Sequence, residues 1–407
     1  MPRRAATATS VFASPSYHAN PYPVFAELRT EAPATRTTLP NGTEVFVVTR
    51  YADVEAALKD ARLIKNITSA RGRPSGLLGR LGFAQYFGNS NMLKADPPEH
   101  TRLRGLVSKA FTPKLINQMR GDIQALADRL LDAVEPAGKM DLIADFAFPL
   151  PITVITRLLG VPSADEGKFR RWSSSLVASG ALSSESLPLE PSLFQLVRYV
   201  RKLIRQRRAS GGAGDDLIGQ LMSAQEEGQS LSDRELLSTL ILLLIAGHET
   251  TVNLIGNGML ALLLAPDQLH QLRDDPARIR GAVEELLRFV NPVQLVNRYA
   301  AEDLDIGGVA IPRGTHLLLL IASGNHDAAF IPDGDQLDVT RTVRQHLAFS
   351  QGIHYCLGAP LARLEGEIAF TTLLRRLPNI RLAVAPDQLE WRPGLELRGL
   401  QALPVVF

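Results

Sequence analysis

Cysteine is almost absent from this chain of 407 residues, which contains only Cys356. One cysteine cannot form an intrachain disulfide, a zinc site built from several cysteines, or an iron–sulfur cluster held by cysteine alone. Three roles remain for the sulfur: a buried inert thiol, a nucleophile, or a single axial thiolate on a haem. The lack of disulfide potential also predicts a reducing, cytoplasmic environment.

An excess of charge of either sign is absent as well. Lys and Arg total 44, Asp and Glu total 42, and the formal net charge is +2. Recognition of nucleic acid normally requires a concentrated basic face, so we expect no nucleic-acid partner. The densest basic stretch, Arg201–Arg208, is typical of the solvated side of a helix.

The chain also lacks a hydrophobic run long enough for a membrane span. The longest uncharged apolar stretch, Leu236–Gly247, has about 12 residues and is ended by His248 and Glu249. That length suits a buried core helix, so we expect no membrane span. The first 16 residues have no apolar core segment, which argues against a secretory signal and predicts a flexible N-terminus over residues 1–16.

Helical periodicity dominates the rest of the chain, and strand signals are few. Helices are predicted from Val54, over Ile116–Val134, from a capping box at Ser163, and from a second capping box at Ser232 to about Ala265, where Pro266 stops the helix. Strands are predicted in a hairpin of Thr35–Thr38 and Val45–Thr49, in a hairpin over Leu304–Ile311, and in an extended tail over Leu397–Val406. These patterns predict one mainly α domain over residues 1–407, with small β-sheets at its edge.

The segment around Cys356 has the composition of a loop that holds a thiolate. Gly352 and Gly358 flank the cysteine and allow close turns that aim N–H groups at one atom. A helical pattern follows over Leu357–Glu367, so the sulfur would lie near a helix N-terminus, where negative charge is favoured. A buried structural cysteine remains the alternative.

Phe349, Gly352, Cys356 and Gly358 fill the pattern Phe-x-x-Gly-x-x-x-Cys-x-Gly. This pattern resembles the haem-binding loop of the cytochrome P-450 monooxygenases. The resemblance implies haem b as cofactor, Cys356 as the proximal iron ligand, and Phe349 packed beside the sulfur. The family often has glycine directly after that Phe; this chain has Ser350, a departure that we expect to be tolerated.

A second segment, Ala246–Thr251, places a glycine, an acid and a hydroxyl within an apolar helix. One interpretation is structural: Thr250 bonds back to the preceding turn, and Glu249 pairs with a distant cation. The other is functional: the helix opens locally at Gly247. The segment resembles the family's Ala/Gly-Gly-x-Asp/Glu-Thr signature, which implies that Ala246 and Gly247 border the haem, that Thr250 hydrogen-bonds dioxygen, and that Glu249 relays protons.

Further motifs follow the order of the same family. By resemblance, four side chains would bind the haem propionates: His100 and Arg104, four apart after two prolines, then Arg298 and His354. Arginine suits bidentate recognition of carboxylates. Glu285, Arg288 and Arg341 resemble a structural ion-pair network, to which we assign no catalytic role.

The implied reaction inserts one atom of dioxygen into an unactivated C–H or C=C bond of a lipophilic small molecule. No glycine-rich phosphate loop follows a strand, so the chain carries no flavin or nicotinamide module. We therefore expect electrons from a separate ferredoxin or flavodoxin with its reductase, docked near Arg102, Arg344 and Arg363. A peroxide-using peroxygenase on the same fold, a non-catalytic haem sensor or carrier, and a haem-free cysteine hydrolase remain alternatives.

Overall fold

The structure is a computed structural model that describes residues 12, 17, 19–39, 42–66, 69–70, 90–178, 191–211, 216–225, 228–343 and 345–407. The N-terminal stretch predicted to be flexible lies outside the described residues except for Phe12. The Phe12 side chain is buried and meets Tyr17 edge to face, with 5.2 Å between the ring centroids.

Helices make up most of the described chain, as the sequence predicts. In chain order they are α1 Tyr22–Glu31, α2 Tyr51–Lys59, α3 Glu99–Ala110, α4 Pro113–Gln118, α5 Arg120–Val134, α6 Pro149–Leu158, α7 Glu166–Ala178, α8 Pro191–Ala209, α9 Leu217–Ser223, α10 Asp233–Leu264, α11 Pro266–Asp274, α12 Ile279–Val290, α13 Ile321–Asn325 and α14 Ala359–Arg376. The strands are β1 Ala34–Thr38, β2 Glu44–Val48, β3 Leu63–Ile64, β4 Lys139–Asp141, β5 Val296–Ala300, β6 Leu304–Ile306, β7 Val309–Ile311, β8 His316–Leu319, β9 Arg381–Leu382 and β10 Pro404–Val406.

Two compact units are formed by the chain. The first comprises Met1–Pro74, Leu264–Cys356 and Glu390–Gln401, and the second comprises Ser75–Leu263, Leu357–Leu389 and Ala402–Phe407. The sequence pattern contains no obvious boundary between them, because each unit is assembled from segments distant in the chain. A single functional domain over the whole chain stays a prediction.

The first unit is built on a five-stranded sheet in the order β1-β2-β8-β5-β3. β1 and β2 pair antiparallel, with Ala34 opposite Val48, which confirms the first predicted hairpin. β6 and β7 form the second predicted hairpin. Its turn residues Gly307 and Gly308 have φ of +58° and +89°, values that the tight turns of two-residue hairpins require.

The second unit contains the long helix α10, which begins with the predicted capping box. The Glu235 N–H lies 3.4 Å from Ser232 Oγ, and the Ser232 N–H donates to the Glu235 carboxylate at 2.8 Å. α10 ends at Leu264, where the sequence predicts its end before Pro266. It is long and apolar enough to cross a bilayer, but 67% of its most apolar window is buried, as in the core helix of a soluble protein.

Three helix and strand predictions need correction. The helix predicted over Ile116–Val134 is two helices, α4 and α5, because the chain turns at Met119. The capping box predicted at Ser163 is replaced by a 3-10 turn over Ser163–Asp165; α7 starts at Glu166, whose carboxylate pairs with Arg157 at 3.6 Å. The extended tail is a strand only over β10, which pairs with β4 and β9.

Candidate functional site

The loop before Cys356 is closed by backbone hydrogen bonds within the first unit. The Cys356 N–H donates to the Phe349 carbonyl at 2.9 Å, and the Tyr355 N–H donates to the Gly352 carbonyl at 3.1 Å. Gly352–His354 forms a 3-10 turn between them. Cys356 forms no disulfide and is half-buried, so the loop fixes the backbone at Cys356 while its side chain stays partly accessible.

Gly352 is required by this loop for two independent reasons. Its φ is +70°, in the left-handed region that disfavours a side chain, and a Cβ there would lie 2.8 Å from the Leu58 carbonyl oxygen of α2. Gly358 differs, with φ −80° and ψ 2°, a conformation open to any residue. Its carbonyl accepts from the Ala362 N–H at 2.9 Å and starts α14. Gly358 therefore lies in a turn whose φ and ψ do not require glycine, and its predicted role beside the sulfur stays a prediction.

Ser350, the departure from the family pattern, also has a left-handed backbone, with φ +62°. Its N–H donates to the Leu347 carbonyl at 2.7 Å. Its hydroxyl oxygen is buried and has no hydrogen-bond partner among the described residues. The serine is thus accommodated with backbone strain and an unsatisfied polar atom, both of which a glycine would avoid.

In the second unit, Ala246, Gly247 and Thr250 lie on an accessible face of α10, whereas Glu249 is 2% exposed. The Thr250 hydroxyl donates to the Ala246 carbonyl at 3.0 Å. α10 is one continuous helix through Gly247, so the predicted local opening is not seen in its secondary structure. A Cβ on Gly247 would lie 3.3 Å from Ile155 Cδ1, so the glycine allows α6 to pack closely here.

The Glu249 carboxylate lies beside a histidine of the same helix. His248 Nε2 is 3.9 Å from Glu249 Oε2, and His248 Nδ1 is 3.0 Å from the Leu244 carbonyl oxygen. An Nδ1–H tautomer donates to that carbonyl and leaves Nε2 directed toward Glu249. The acid is therefore held in a buried polar environment, one turn from the Ala246 carbonyl that accepts from Thr250.

His100 and Arg104 occupy one face of α3 in the second unit. His100 is 2% exposed. Burial, and then the positive charge of Arg104, lower the pKa of His100 below its ordinary value. His100 is therefore a neutral imidazole at neutral pH, and only Arg104 of this pair brings a permanent positive charge.

Arg298 and His354 belong to the first unit. Arg298 lies in β5, is 2% exposed, and donates through Nη1 to the Asn297 carbonyl at 2.9 Å. His354 lies half-buried in the 3-10 turn of the cysteine loop. A common role for His100, Arg104, Arg298 and His354 at the haem propionates stays a prediction.

The predicted ion-pair network is present in the first unit. Arg288 Nε donates to Glu285 Oε2 at 2.7 Å, and Arg341 Nε lies 3.3 Å from Glu285 Oε1. The Asp338 N–H also donates to Glu285 Oε1, at 3.0 Å. Glu285 and Arg288 are fully buried, and Arg288 directs its remaining donors at the carbonyls of Asn325, Gly334 and Gln336. The network joins α12 to the loops that precede the cysteine segment.

The sequence motifs do not identify one buried acid, Glu365 on α14, which hydrogen-bonds Thr251 of α10 within the second unit. Glu365 is 1% exposed. Its signal in the sequence is an acid among buried apolar positions of one helix, with Leu361 and Ile368 on the same face. Helices commonly carry such acids at the surface, so the sequence pattern alone does not distinguish the buried Glu365 from an exposed acid.

The residues present fit a haem. The soft Cys356 sulfur is displayed on a loop whose tight turn at Gly352 leaves no room for a side chain. Among the described residues, no cluster of three or more His, Cys, Asp or Glu could hold a metal ion by itself. A metal held by one thiolate needs its other ligands from a cofactor, as a porphyrin supplies them.

Comparisons with known proteins agree with this chemistry. The family model described as cytochrome P450 matches residues 192–378. The chain is 42% identical to the polyketide biosynthesis cytochrome P450 PksS of Bacillus subtilis, over 96% of both chains. It is also 42% identical to the cytochrome P450 monooxygenase PikC of Streptomyces venezuelae, over 96% of this chain and 91% of that one.

Solved structures give the same result. The structure of Bacillus subtilis PksS matches with a TM-score of 0.87 and 41% identity, over 97% of this chain and 98% of that one. A myxobacterial cytochrome P450, CYP267B1, in complex with myristic acid matches with a TM-score of 0.88 and 40% identity, over 98% of both chains. The chain therefore belongs to the cytochrome P450 family, and it is a monooxygenase with haem b as its cofactor.

Proposed function

We propose that this monooxygenase inserts one oxygen atom from dioxygen into a C–H or C=C bond of a lipophilic small molecule in the cytoplasm. Its electrons would come from a separate ferredoxin or flavodoxin with its reductase. The observation that carries the proposal is on α10, where the Thr250 hydroxyl lies on an accessible face directly after the buried Glu249. A hydroxyl beside a buried acid suits a step that consumes protons at a water-poor site.

The haem, when bound, supplies the activation of dioxygen. Cys356 would hold its iron through a thiolate whose electron donation favours O–O cleavage. The hydrogen bond from Cys356 N–H to the Phe349 carbonyl keeps that sulfur in place. Arg104, Arg298 and His354, with the neutral His100 as a hydrogen-bond donor, would bind and orient the two haem carboxylates.

Thr250 has one hydroxyl proton, and that proton is directed at the Ala246 carbonyl. In this arrangement the Thr250 oxygen is an acceptor toward any group on the accessible face of α10. It can therefore hold a protonated oxygen species or a water in place. Glu249 would exchange protons with solvent and pass them to this position.

The type of substrate is supported by the names of similar proteins. These include a 6-deoxyerythronolide B hydroxylase of Saccharopolyspora erythraea and a vitamin D(3) 25-hydroxylase of Pseudonocardia autotrophica, each 41% identical. Both names describe oxidation of a large, mostly apolar molecule. By position, we expect the substrate to contact the segment from about Ile64 to Leu93 and the helices around Phe169–Tyr199, of which residues 71–89 and 179–190 lie outside the described residues.

The predicted docking residues for the electron donor differ in what surrounds them. Arg102 is held by Glu99 at 2.9 Å and by Glu235, so two carboxylates already share its charge. Arg344 lies outside the described residues, and Arg363 is half-buried near the start of α14. All three arginines stay proposed basic contacts for an acidic ferredoxin or flavodoxin, and part of the Arg102 charge is already compensated.

The test of this proposal compares Thr250→Ala and Cys356→Ala with the wild-type enzyme. Thr250→Ala should bind haem normally but release peroxide in place of product, because the protonated oxygen loses its acceptor. Cys356→Ala should lose the thiolate-type absorbance of the reduced carbon monoxide complex. Unchanged coupling in Thr250→Ala would refute the proton-relay role. Turnover with peroxide that is faster than with any electron donor would indicate a peroxygenase.

A further inference from the structure

The densest basic stretch of the sequence lies on α8, and the reaction described above does not use it. α8 has six basic residues and no acidic one, whereas the whole chain has 44 basic and 42 acidic residues. The rest of the chain therefore carries a small excess of acid. α8 thus concentrates positive charge in a chain that is otherwise close to balance.

α8 is amphipathic, and its basic side chains lie on the face opposite the core. Its buried positions are apolar and recur at three- and four-residue spacing: Leu193, Leu196, Val197, Val200 and Ile204. The exposed face carries four cations, here called the basic row: Arg198, Arg201, Lys202 and Arg205. The row spans about 10 Å along the helix, at 1.5 Å per residue. The apolar face of α8 is therefore used inside the protein, and the basic row faces solvent.

The last two cations of α8 have partners within the second unit. Arg207 pairs with Asp216, the residue that caps α9. Arg208 pairs with Asp233 at the start of α10, with Nη1 at 3.2 Å from Oδ2. These two charges are therefore compensated by carboxylates of the same unit.

Most of the basic row lacks such a partner. Arg198, Lys202 and Arg205 form no ion pair or hydrogen bond within the part of the chain that the structure describes. Hydrogen bonding by Lys168, and more weakly the charge of Lys202, lower the pKa of Asp165, so that carboxylate is already bonded. Like charges three and four residues apart on a helix repel one another. An acidic helix of a partner would bring carboxylates at the same spacing and relieve this repulsion.

One apolar side chain lies at the end of the basic row. Phe194 is one turn before Arg198 on the same face, and the residue is 44% exposed. Gln195 accepts from the Trp172 Nε1–H at 2.6 Å, so α7 holds this end of α8 in place. An apolar anchor beside a row of cations suits a protein partner better than a bilayer, because the apolar face of α8 that would enter lipid is buried.

We propose that the basic row and Phe194 form the docking surface for an acidic helical carrier protein that presents the lipophilic substrate as a thioester. The carboxylates of one carrier helix would pair with the basic row, and an apolar residue of that helix would cover Phe194. The first half of α8 belongs to the segment Phe169–Tyr199, which is expected by position to contact the substrate, so the carrier would release its acyl chain beside the predicted substrate site. This inference rests on the proposed function for the class of substrate.

The test measures binding of the full-length haem-bound enzyme to a labelled acyl carrier protein loaded with a long-chain acyl group, by fluorescence anisotropy. The triple variant Arg198→Glu, Lys202→Glu, Arg205→Glu should bind at least about tenfold more weakly at low salt, because each change replaces an attraction by a repulsion. Added salt should weaken binding of the wild type more than that of the variant. If the wild type does not bind the loaded carrier protein, or if the triple variant binds it equally well, the proposal is wrong.

The matched control reverses the same number of charges elsewhere in the second unit. Arg129 on α5, Lys139 on β4 and Arg381 on β9 are exposed. The variant Arg129→Glu, Lys139→Glu, Arg381→Glu changes the net charge equally and should bind the carrier protein as the wild type does. Equal loss of binding in both triple variants would reveal a nonspecific effect of net charge and refute the docking surface.

Three further measurements separate the carrier protein from other partners and from the reaction itself. If the α8 triple variant loses binding to phosphatidylglycerol vesicles but keeps its binding to the carrier protein, α8 contacts a membrane and the proposal is wrong. Reduction by a ferredoxin with its reductase should proceed equally fast in the wild type and in the α8 variant, and a slower rate in the variant would assign this surface to the electron donor instead. Turnover of the free long-chain acid tests the proposed function separately, since its failure leaves carrier binding unchanged.

Discussion

Ser350→Gly should stabilise this enzyme, although most substitutions in a cofactor loop destabilise. Ser350 has φ +62°, which costs a non-glycine residue roughly 1–2 kcal/mol. Its buried, unpartnered hydroxyl adds a desolvation cost of about 1 kcal/mol. Glycine removes both terms but loses roughly 0.5–1 kcal/mol through the greater entropy of the unfolded chain. The expected net gain is about 1–2 kcal/mol.

The neighbouring residue provides the control. Gln351 has φ −143° and ψ 170°, an extended conformation that any residue adopts. Gln351→Gly should therefore only increase unfolded-chain entropy and destabilise by roughly 0.5–1 kcal/mol. The two variants alter adjacent positions of one loop, so a nonspecific effect of glycine near the haem would move both in the same direction.

Urea unfolding of the haem-bound enzyme, followed by far-UV circular dichroism, measures both variants. Ser350→Gly should raise the midpoint at an unchanged denaturant slope, and Gln351→Gly should lower it. The haem spectrum of each variant should match that of the wild type, because neither change touches Cys356. If Ser350→Gly lowers the midpoint, the serine side chain makes a stabilising interaction and the strain argument is wrong.

Three other substitutions test the loop, the ion-pair network and the buried acid. Gly352→Ala should destabilise by roughly 3 kcal/mol or more and lower haem content, because positive φ adds to a close approach to the Leu58 carbonyl, whereas Gly281→Ala on α12, where a Cβ would meet nothing within 4 Å, should keep its haem; pyridine haemochrome quantification checks both, and equal haem loss would refute the distinction. Arg288→Leu should cost about 3–5 kcal/mol in urea unfolding, because it leaves the fully buried Glu285 with only Arg341 as a cation; Arg62→Leu, which breaks an exposed pair with Asp60, is the control and should leave the unfolding midpoint nearly unchanged. Burial raises the folded-state pKa of Glu365 from 4.5 to about 8. As the pH rises from 4.5 to about 8, the wild type should therefore lose stability relative to Glu365→Gln, by roughly 1.4 kcal/mol per pH unit at most. Thermal unfolding midpoints of the two proteins measure this difference, and a constant difference across that pH range would refute the burial of a neutral acid.

Local signals in the sequence are sufficient to predict many elements. Ser232 and Pro266 bracket α10, because a side-chain cap and a residue without an N–H act on the nearest turn. The Leu304–Ile311 hairpin forms as predicted, because two consecutive glycines permit its turn. Glu285, Arg288 and Arg341 are grouped only through the family resemblance, since an acid and a base three residues apart are common on helices.

Other features depend on neighbours that are distant in the chain. Gly352 and Gly358 look equivalent in sequence, but Gly352 has a positive φ and lies against the α2 carbonyl of Leu58, whereas Gly358 has a negative φ. The departure at Ser350 looks harmless in sequence, but its backbone is left-handed. The helix at Gly247 is expected to open, but it remains one continuous α-helix in which Thr250 bonds to Ala246.

The chemistry of this protein can be predicted from short motifs, because a thiolate ligand, a hydroxyl beside an acid, and a glycine turn are properties of residue types at fixed short spacing. Cys356, Thr250 and Glu249 are therefore predicted as site residues from their sequence motifs alone. The protonation and strain of particular groups follow only from the folded chain, because desolvation and steric contact depend on atoms from other segments. Glu365 is the clearest case: its sequence shows an ordinary helical acid, and only its burial beside Thr251 makes it an acid that keeps its proton at neutral pH.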